Sequence, residues 1–522
     1  MRIRWVLAAA AVPVMLVLFP LLHLALVVVN FSLHLVVLGF QWVASSLPRI
    51  PIARRDDAGE ESFVSIHVPT HNEPPEVVEQ TLRALRNLEW TRYEVLVIDN
   101  NTPDESVWRP VEELCRQLGP RFRFLHVEGL PGAKAGAMNW ARPVMDPRAE
   151  FIFVVDADYV VEPDALRVAF SHVTDSRIGL VQFPQEYRNT GPGNLGLSLD
   201  FRHFFSGYMN FANRLGCVPS TGTLSLIRVS ALETVQGFNT GVITEDTDLG
   251  YRLAVQGVRT VYAHRVIGRG LMPHDLESLK RQRWRWAFGN AQILKLNWRG
   301  LLFGRELTLL QKAGFLIHLT AWFNFNLLPS LTLILIAPLA ALDWMHPCHP
   351  YLAVLSGFTL ATFVALRFGT LFYSLRHEGH GLRGITLAFL THLGLGWVFA
   401  ASWIKCLVDH RSPFVRTNKF LTAAMPGILR TTLIEATLGV ALLGASVVLT
   451  LNDFFIAPIT ALVFGVGRFL VYWVWWQARA TLRLTSELGR EALEHLPNPE
   501  GVAESLQEDP LGAGEGSRLA TR

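Results

Sequence analysis

Between Thr244 and Trp286 the chain carries two groups of residues equipped for chemistry. Thr244-Glu245-Asp246 puts two carboxylates in one short turn, and Gln282-Arg283-Trp284-Arg285-Trp286 puts arginines between indoles. A carboxylate can take the proton of an attacking hydroxyl. Guanidinium forks hold phosphate oxygens, and indole faces stack on the apolar faces of sugars and bases. Together these types suit chemistry on a sugar attached to a phosphate. The second group follows the basic run Leu279-Lys280-Arg281 and precedes strongly apolar sequence. It therefore also suits a membrane-proximal amphipathic helix with Arg and Trp at the interface. This stretch alone does not separate the two readings.

The elements that would position these groups lie upstream, in Ser62–Arg269. Phe63–Val68, Tyr93–Ile98, Arg123–Val127 and Phe151–Val155 are short β-rich runs. Glu76–Leu88, Val107–Leu118 and Ala133–Ala141 between them read as helices. Strands alternating with helices predict an α/β fold whose mostly parallel sheet is wound as βαβ units. Ligands on such sheets bind beyond the carboxyl ends of the strands. Three strand ends here are acidic: Pro69-Thr70-His71-Asn72-Glu73, Asp99-Asn100-Asn101 and Asp156-Ala157-Asp158. Converging carboxylates repel unless a cation lies between them, which suggests a divalent metal holding a diphosphate. Lys134, in Gly132-Ala133-Lys134-Ala135-Gly136, adds a positive charge on a small-residue loop that a phosphate can approach.

In this order, the PTHNE run, Asp99, Lys134, Asp156-Ala157-Asp158, Thr244-Glu245-Asp246 and the Q-x-x-R-W pattern of Gln282–Trp286 resemble the membrane-embedded processive members of glycosyltransferase family 2, the group of cellulose synthase and hyaluronan synthase. The resemblance runs from about Ser62 to about Trp476. It implies a GT-A fold, a Rossmann-like mixed sheet inserted between transmembrane helices, and a nucleotide-diphosphate sugar donor. It implies that Thr70, Glu73 and Asp99 line a uridine pocket and that Lys134 lies near the phosphates. Asp156 and Asp158 would hold nucleotide and metal, Mg²⁺ or Mn²⁺. Asp246, beside Glu245, would be the catalytic base, and Gln282, Arg285 and Trp286 would bind diphosphate and acceptor. Asp99-Asn100-Asn101 departs from the second Asp and Gly often found there. Gln182-Phe183-Pro184-Gln185 and Ser220-Thr221-Gly222-Thr223 resemble acceptor-lining segments, and are equally readable as ordinary loops beside the sheet.

Composition agrees with a membrane protein carrying a soluble portion. Of 522 residues 50% are hydrophobic and 17% charged, with mean hydropathy +0.28, against about 25% charged in soluble domains. A net charge of +3 is too small to argue for nucleic acid. Cys115, Cys217, Cys348 and Cys406 are scattered, without metal or disulfide spacing. Val6–Leu47 is about twice the length of one span. Arginines at both of its ends predict a hairpin within residues 1–50 that turns near Asn30–His34. The catalytic domain then occupies 51–300 and an apolar region 301–480. Leu327–Trp344, Tyr351–Tyr373, Leu433–Leu451 and Phe454–Trp476 read as spans, and Leu307–Phe325 and Ile385–Cys406 as interfacial helices. The charge count decides this, because spanning with the last two would place Arg376 and Arg383 outside. Ser412–Lys419 resembles the F-x-V-T-x-K gating loop of cellulose synthases, with Arg416 where they carry Val, which implies donor contacts for Thr417 and Lys419. The tail, 481–522, is expected to be disordered over Pro497–Arg522 and to carry no cyclic-dinucleotide-binding regulatory domain.

The expected activity is inverting transfer from a UDP-sugar, with UDP-glucose the leading donor, onto a growing β-linked polysaccharide exported through the protein's own helices. The implied partners are the UDP-sugar, a glycan or glycolipid acceptor, the lipid bilayer and accessory export subunits. The alternatives are single transfer making a glycolipid, and a transporter with a degenerate catalytic domain. The expected localisation is a multi-pass cell or inner membrane protein with its catalytic domain in the cytoplasm.

Overall fold

The computed structural model describes residues 18–48, 53–54, 61–273, 275–409 and 428–494; for 428–430 and 480–494 only helical backbone is described. Helix α1 (Pro20–Ser46) comes first and belongs with the apolar helices below. β1 (Val64–Thr70) and β2 (Tyr93–Asn100) flank α2 (Pro75–Arg86), and β3 (Phe122–Val127) follows α3 (Glu105–Leu118). Helix α2 starts with Pro75 in its first turn and has Arg83 and Arg86 in its last, the polarity that the helix dipole favours. Helix α3 is capped by Asp104, whose carboxylate accepts from the Ser106 amide at 2.9 Å. Then come α4 (Ala133–Ala141), β4 (Phe151–Val154), β5 (Val160–Val161), β6 (Ile178–Gln182), α5 (Leu195–Phe204), β7 (Ser225–Arg228), α6 (Glu245–Val255), β8 (Arg259–Tyr262) and β9 (Gly268–Arg269).

Seven strands form one mixed sheet in the order β3-β2-β1-β4-β7-β6-β8, parallel except where β7 meets β4 and β6. This is the α/β, GT-A-like arrangement expected. All eight residues of β2 are buried, as its unbroken apolar run requires when both faces are covered. One face packs Val64, Ile66 and Val68 against Val78 and Leu82 of α2. The other packs Ile152, Val154 and Ile227 against Leu249 and Leu253 of α6.

From Leu276 on, the helices among the described residues are α7 (Leu276–Phe303), α8 (Leu309–Leu319), α9 (Leu327–Ala341), α10 (His349–Arg376), α11 (Leu382–Val408), α12 (Ile428–Leu451) and α13 (Ile456–Glu494). One core joins them to the sheet side: Phe201 of α5 and Ala287 and Phe288 of α7 belong to the same buried cluster as Leu333, Leu360, Phe399 and Trp475.

Among the described residues five helices are long and apolar enough to cross a membrane: Pro20–Ser46, His349–Arg376, Leu382–Val408, Thr431–Leu451 and Ile456–Arg479. Three differences from the sequence reading stand out. Helix α1 runs without a break through Asn30–His34, so the turn expected there is absent. The polar residues that suggested it, Asn30 and His34, lie with His23 and Gln41 on one buried stripe: His23 meets Thr332 of α9, Asn30 and Gln41 donate to the Phe325 and Thr320 carbonyls between α8 and α9, and His34 bonds the Asn30 carbonyl of its own helix. Residues 1–17, which would hold the hairpin's other half, lie outside the described residues. Helix α9, read as a span over Leu327–Trp344, has 15 residues, fewer than the roughly 20 a span needs. Helix α11, read as interfacial, has the length of a span, but 78% of its most apolar window is buried inside the protein, against 28% to 50% for the other four. Ser412–Lys419, including Thr417 and Lys419, also lies outside the described residues.

Candidate active site

The carboxyl ends of β1, β2 and β4 open onto a cavity of about 400 Å³. Thr70, Glu73, Lys134, Asp156, Asp158, Glu245, Asp246, Gln282, Arg285 and Trp286 all line it. These residues come from stretches more than 200 positions apart, and the sheet edge and helix α7 bring them together.

Asp99 stands behind this wall. Register sets it opposite Thr70, whose hydroxyl donates to Asp99 Oδ1 at 3.0 Å. Thr102 donates to the same oxygen at 2.7 Å, and His126 Nδ1 lies 2.8 Å from Oδ2. Trp108 stacks on His126 with centroids 4.5 Å apart. With both oxygens engaged and 3% exposure, Asp99 is not among the lining residues expected of it. It fixes Thr70 and the turn that presents Asn100 and Asn101 to the cavity. His71 belongs to that turn, with Nδ1 2.6 Å from the Asn100 carbonyl oxygen.

Lys134 reaches across from the first turn of α4, pairs with Asp156 Oδ1 and donates to the Gly222 carbonyl at 2.6 Å. Burial disfavours its ammonium, but Asp156, Glu245 and Asp246 together hold its pKa above the usual lysine value. Asp158 accepts from the Leu271 amide at 2.7 Å. No group of three or more His, Cys, Asp or Glu among the described residues could form a metal cage. A hard cation such as Mg²⁺ or Mn²⁺ is commonly held by one or two carboxylates and completed by phosphate oxygens. Asp156, about one third exposed beside Asp158 in the cavity, fits that mode.

Glu245 and Asp246 open helix α6, where the dipole favours negative charge. Burial, then the charge of Asp246, pushes the Glu245 carboxyl up to about 7 against the pull of Lys134 and Arg285. Burial likewise raises Asp246, opposed by the Thr247 amide, which donates to its Oδ1 at 2.8 Å. Two glycines make room here. Gly222 has φ +85°, and a Cβ on it would stand 2.8 Å from Asp246 Oδ2; one on Gly289 would stand 2.3 Å from Thr244 Oγ1. The second absence lets α7 pack directly on the turn bearing the carboxylates.

Helix α7 is capped by Asp275, which accepts from the Ser278 amide at 2.8 Å. One of its faces gives Gln282, Arg285 and Trp286 to the cavity, and Tyr187 Oη lies 3.4 Å from Gln282 Oε1. Burial lowers the Arg285 pKa while Glu245, Asp246 and Asp156 oppose that. The other face is anchored among helices. Lys280 Nζ is 3.2 Å from Glu435 and lies over the Trp475 and Trp397 rings at 4.3 and 5.1 Å. Arg283 lies over Trp286 at 4.5 Å and 3.7 Å from Asp200, which also meets His392 at 3.1 Å. Asp200, Arg283 and His392 were not legible as a group in the sequence; one histidine in an apolar run and one aspartate in a leucine-rich helix give no signal. Of the loops thought to resemble acceptor-lining segments, Gln185, Thr221 and Gly222 do line the cavity. Gln182 is instead buried, donating to the Thr223 carbonyl and accepting from Thr221 and Ser225.

Comparison with known proteins agrees with this geometry. The family model for glycosyl transferase family 2 matches residues 65–236, and that for glycosyl transferase family group 2 matches 151–400. By these two matches, residues 65–400 carry glycosyltransferase family 2 domains. The chain is similar to cellulose synthase catalytic subunits: 25% identical over 302 residues to that of Komagataeibacter sucrofermentans, covering 56% of this chain and 39% of the relative. Identity is 28% over 291 residues with that of Pseudomonas fluorescens, covering 53% and 38%. This glycosyltransferase thus spans about two fifths of the length of the curated relatives it matches. A mannosyltransferase from Pyrobaculum calidifontis, solved with GDP-mannose and Mn²⁺, shares the fold at TM-score 0.51 and 19% identity, over 74% of this chain and all of that one.

Proposed function

We propose that the protein transfers a sugar from a UDP-sugar to an acceptor hydroxyl with inversion, extending a β-linked saccharide. What carries this reading is the convergence of Lys134, Asp156, Asp158, Glu245, Asp246 and Arg285 on one cavity beyond the strand ends. Asp246 takes the proton of the acceptor hydroxyl as its oxygen attacks the anomeric carbon. The bond to the diphosphate breaks, and UDP leaves with the electron pair. A single displacement with one base converts an α-linked donor into a β-linked product. Arg285 and Lys134 face the charge that grows on the departing diphosphate. A divalent cation at Asp156 and Asp158 would neutralise that diphosphate when bound. Trp286, held between Phe201 at 5.6 Å and Trp322 at 5.7 Å, offers a stacking surface to the acceptor.

UDP and glucose are the preferred donor parts because the relatives are named as UDP-forming cellulose synthases. The reading also takes the protein as multi-pass, with its catalytic domain at 51–300 on the cytoplasmic side. Lys and Arg distribution supports that orientation. Helix α11 then lies along the cytoplasmic face beneath α7, which its burial against the protein favours. The test is incubation of purified protein with a panel of UDP-sugars and metals, followed by linkage-specific hydrolases. A β-glucan ladder is expected. One or two sugars on a lipid would establish single transfer instead, and no UDP release from any donor would refute glycosyl transfer.

A further inference from the structure

Behind Asp246 and Trp286, which it shares with the large cavity, lies a second cavity of about 60 Å³. Its far walls are Phe204 and Trp322, stacked at 5.8 Å, and His318, the penultimate residue of helix α8. His318 is 3% exposed, and neither of its ring nitrogens has a hydrogen-bond partner. Its position is fixed through its backbone, because Asn290 Nδ2 of α7 donates to its carbonyl at 3.1 Å, and its ring packs 5.5 Å from Phe204. Burial lowers its pKa to about 3, so the ring is neutral, with one nitrogen donating and the other accepting. Thr244 Oγ1, on the same cavity, is also buried without a partner.

Buried polar groups in folded proteins are hydrogen-bonded almost without exception. A neutral imidazole and a hydroxyl left unpaired in a cavity beside the proposed base therefore point to a hydroxylated occupant. The walls narrow its chemistry. Aromatic walls with isolated hydrogen-bonding points beside them complement a pyranose, which is apolar on its faces and polar at its edge. A lipid chain would suit the rings and leave His318 unpaired. The space corresponds to about two water molecules, enough for the hydroxyl-bearing edge of a sugar whose body rests in the large cavity.

We propose that His318 selects the acceptor, reading a hydroxyl of a saccharide whose reacting hydroxyl faces Asp246. This rests on the glycosyltransfer reading and names its acceptor class as a carbohydrate. His318 shares the cavity with Asp246 but does not act on the reacting atoms; it is a specificity residue.

The test uses the full chain in lipid nanodiscs, the UDP-sugar turned over fastest in the donor panel, and glucose, cellobiose and cellotriose as acceptor probes. UDP release is followed against acceptor and donor concentration for wild type, His318→Leu and His318→Gln. The leucine variant is expected to raise the acceptor KM by roughly tenfold, the effect of one lost hydrogen bond to a buried partner, with donor KM unmoved. The glutamine variant, which can still donate and accept, is expected to keep most of the wild-type acceptor KM. An unchanged acceptor KM in His318→Leu would mean the cavity holds only water and would overturn the inference. A parallel rise in donor and acceptor KM in both variants would show a packing role and overturn it too. Stimulation of wild type by diacylglycerol in the nanodisc and by none of the saccharides would overturn the carbohydrate class. Wild type that transfers while His318→Leu is kinetically normal defeats this proposal alone, whereas wild type that releases no UDP from any donor defeats the glycosyltransfer reading with it.

Discussion

Asp156 meets the Lys134 ammonium and Asp158 a backbone amide, whereas Glu245 and Asp246 sit side by side at a helix start with pKa values raised by burial. The four carboxylates line one cavity. The first pair is provided with partners that keep charge in place, which suits groups that hold a donor and its cation. The second pair is placed where charge is costly, which suits a group that must take up a proton and later release it. On the proposed function, this difference in surroundings divides the four into a binding pair and a proton-handling pair, although all are ordinary acidic residues in the sequence.

The largest effect that could break this comparison is at Asp246. Asp246→Asn should lower turnover by roughly 10²–10⁴-fold or more, measured as sugar transfer at saturating donor. Near-normal turnover would remove Asp246 from the mechanism. Next is the binding pair: Asp158→Ala, or excess chelator, should weaken UDP by roughly tenfold or more, as expected for a lost charge-assisted contact, and turnover should fall with it. Full activity in chelator would assign the aspartates another role.

Gly222 probes the geometry of the base without altering its charge. In Gly222→Ala a methyl group meets Asp246 Oδ2 at 2.8 Å on a left-handed backbone. Turnover should drop roughly 10- to 100-fold, the scale of a small misplacement of a reacting group, with UDP affinity retained. Loss of affinity and turnover together would show a general disturbance of the cavity instead.

The smallest effect sharpens the comparison through pH. A base must be ionised to act, so activity should fall on acidification at a pH above the usual carboxylate range. Asp246 ionises while Glu245, held up to about 7, is still protonated, so Glu245→Gln should leave that acid limb in place, with only a few-fold change on the alkaline side. Stability should slope the other way. Glu245 has a folded value of about 7 against an ordinary 4.5. Its contribution is therefore fully present below about 4.5 and lost as pH rises through about 7. Melting curves of Glu245→Gln should lack that slope. A shifted acid limb would mean that Glu245 is charged when Asp246 ionises, and an unchanged slope would mean that Glu245 is not raised.

Asp156 and Asp158 are legible as strand-end carboxylates, whereas Glu245 and Asp246 read as a short turn and take their expected role from the resemblance. Strand ends and helix starts are set by local rules: a β-branched run, then a turn, then an amphipathic stretch. Those rules placed Thr70, Asp156 and Asp158 at the sheet edge, and helix α4 fell at Ala133–Ala141 as read. What was not legible depends on contacts between distant segments. Asp99 reads as one more acidic strand end, and only register with Thr70 and packing of His126 turn it inward. Asn30 and His34 read as a turn because polar residues interrupt an apolar run, but a buried helix face can hold them when one donates to the Phe325 carbonyl and the other bonds within its own helix. His318 has no motif around it and gains meaning from Trp322, Phe204 and Asn290 converging on it. Length and charge gave conflicting readings of α11, because a helix buried among protein neighbours can be as apolar as one in lipid.

The most direct test of the division between the two pairs is calorimetric titration of UDP, with Mg²⁺ or Mn²⁺ present, into the Asp246→Asn and Asp158→Ala chains. Asp246→Asn should bind UDP as wild type does despite its lost turnover, while Asp158→Ala should bind it roughly tenfold or more weakly. Equal weakening in both variants, or wild-type affinity in Asp158→Ala, would contradict the separation of donor holding from proton transfer.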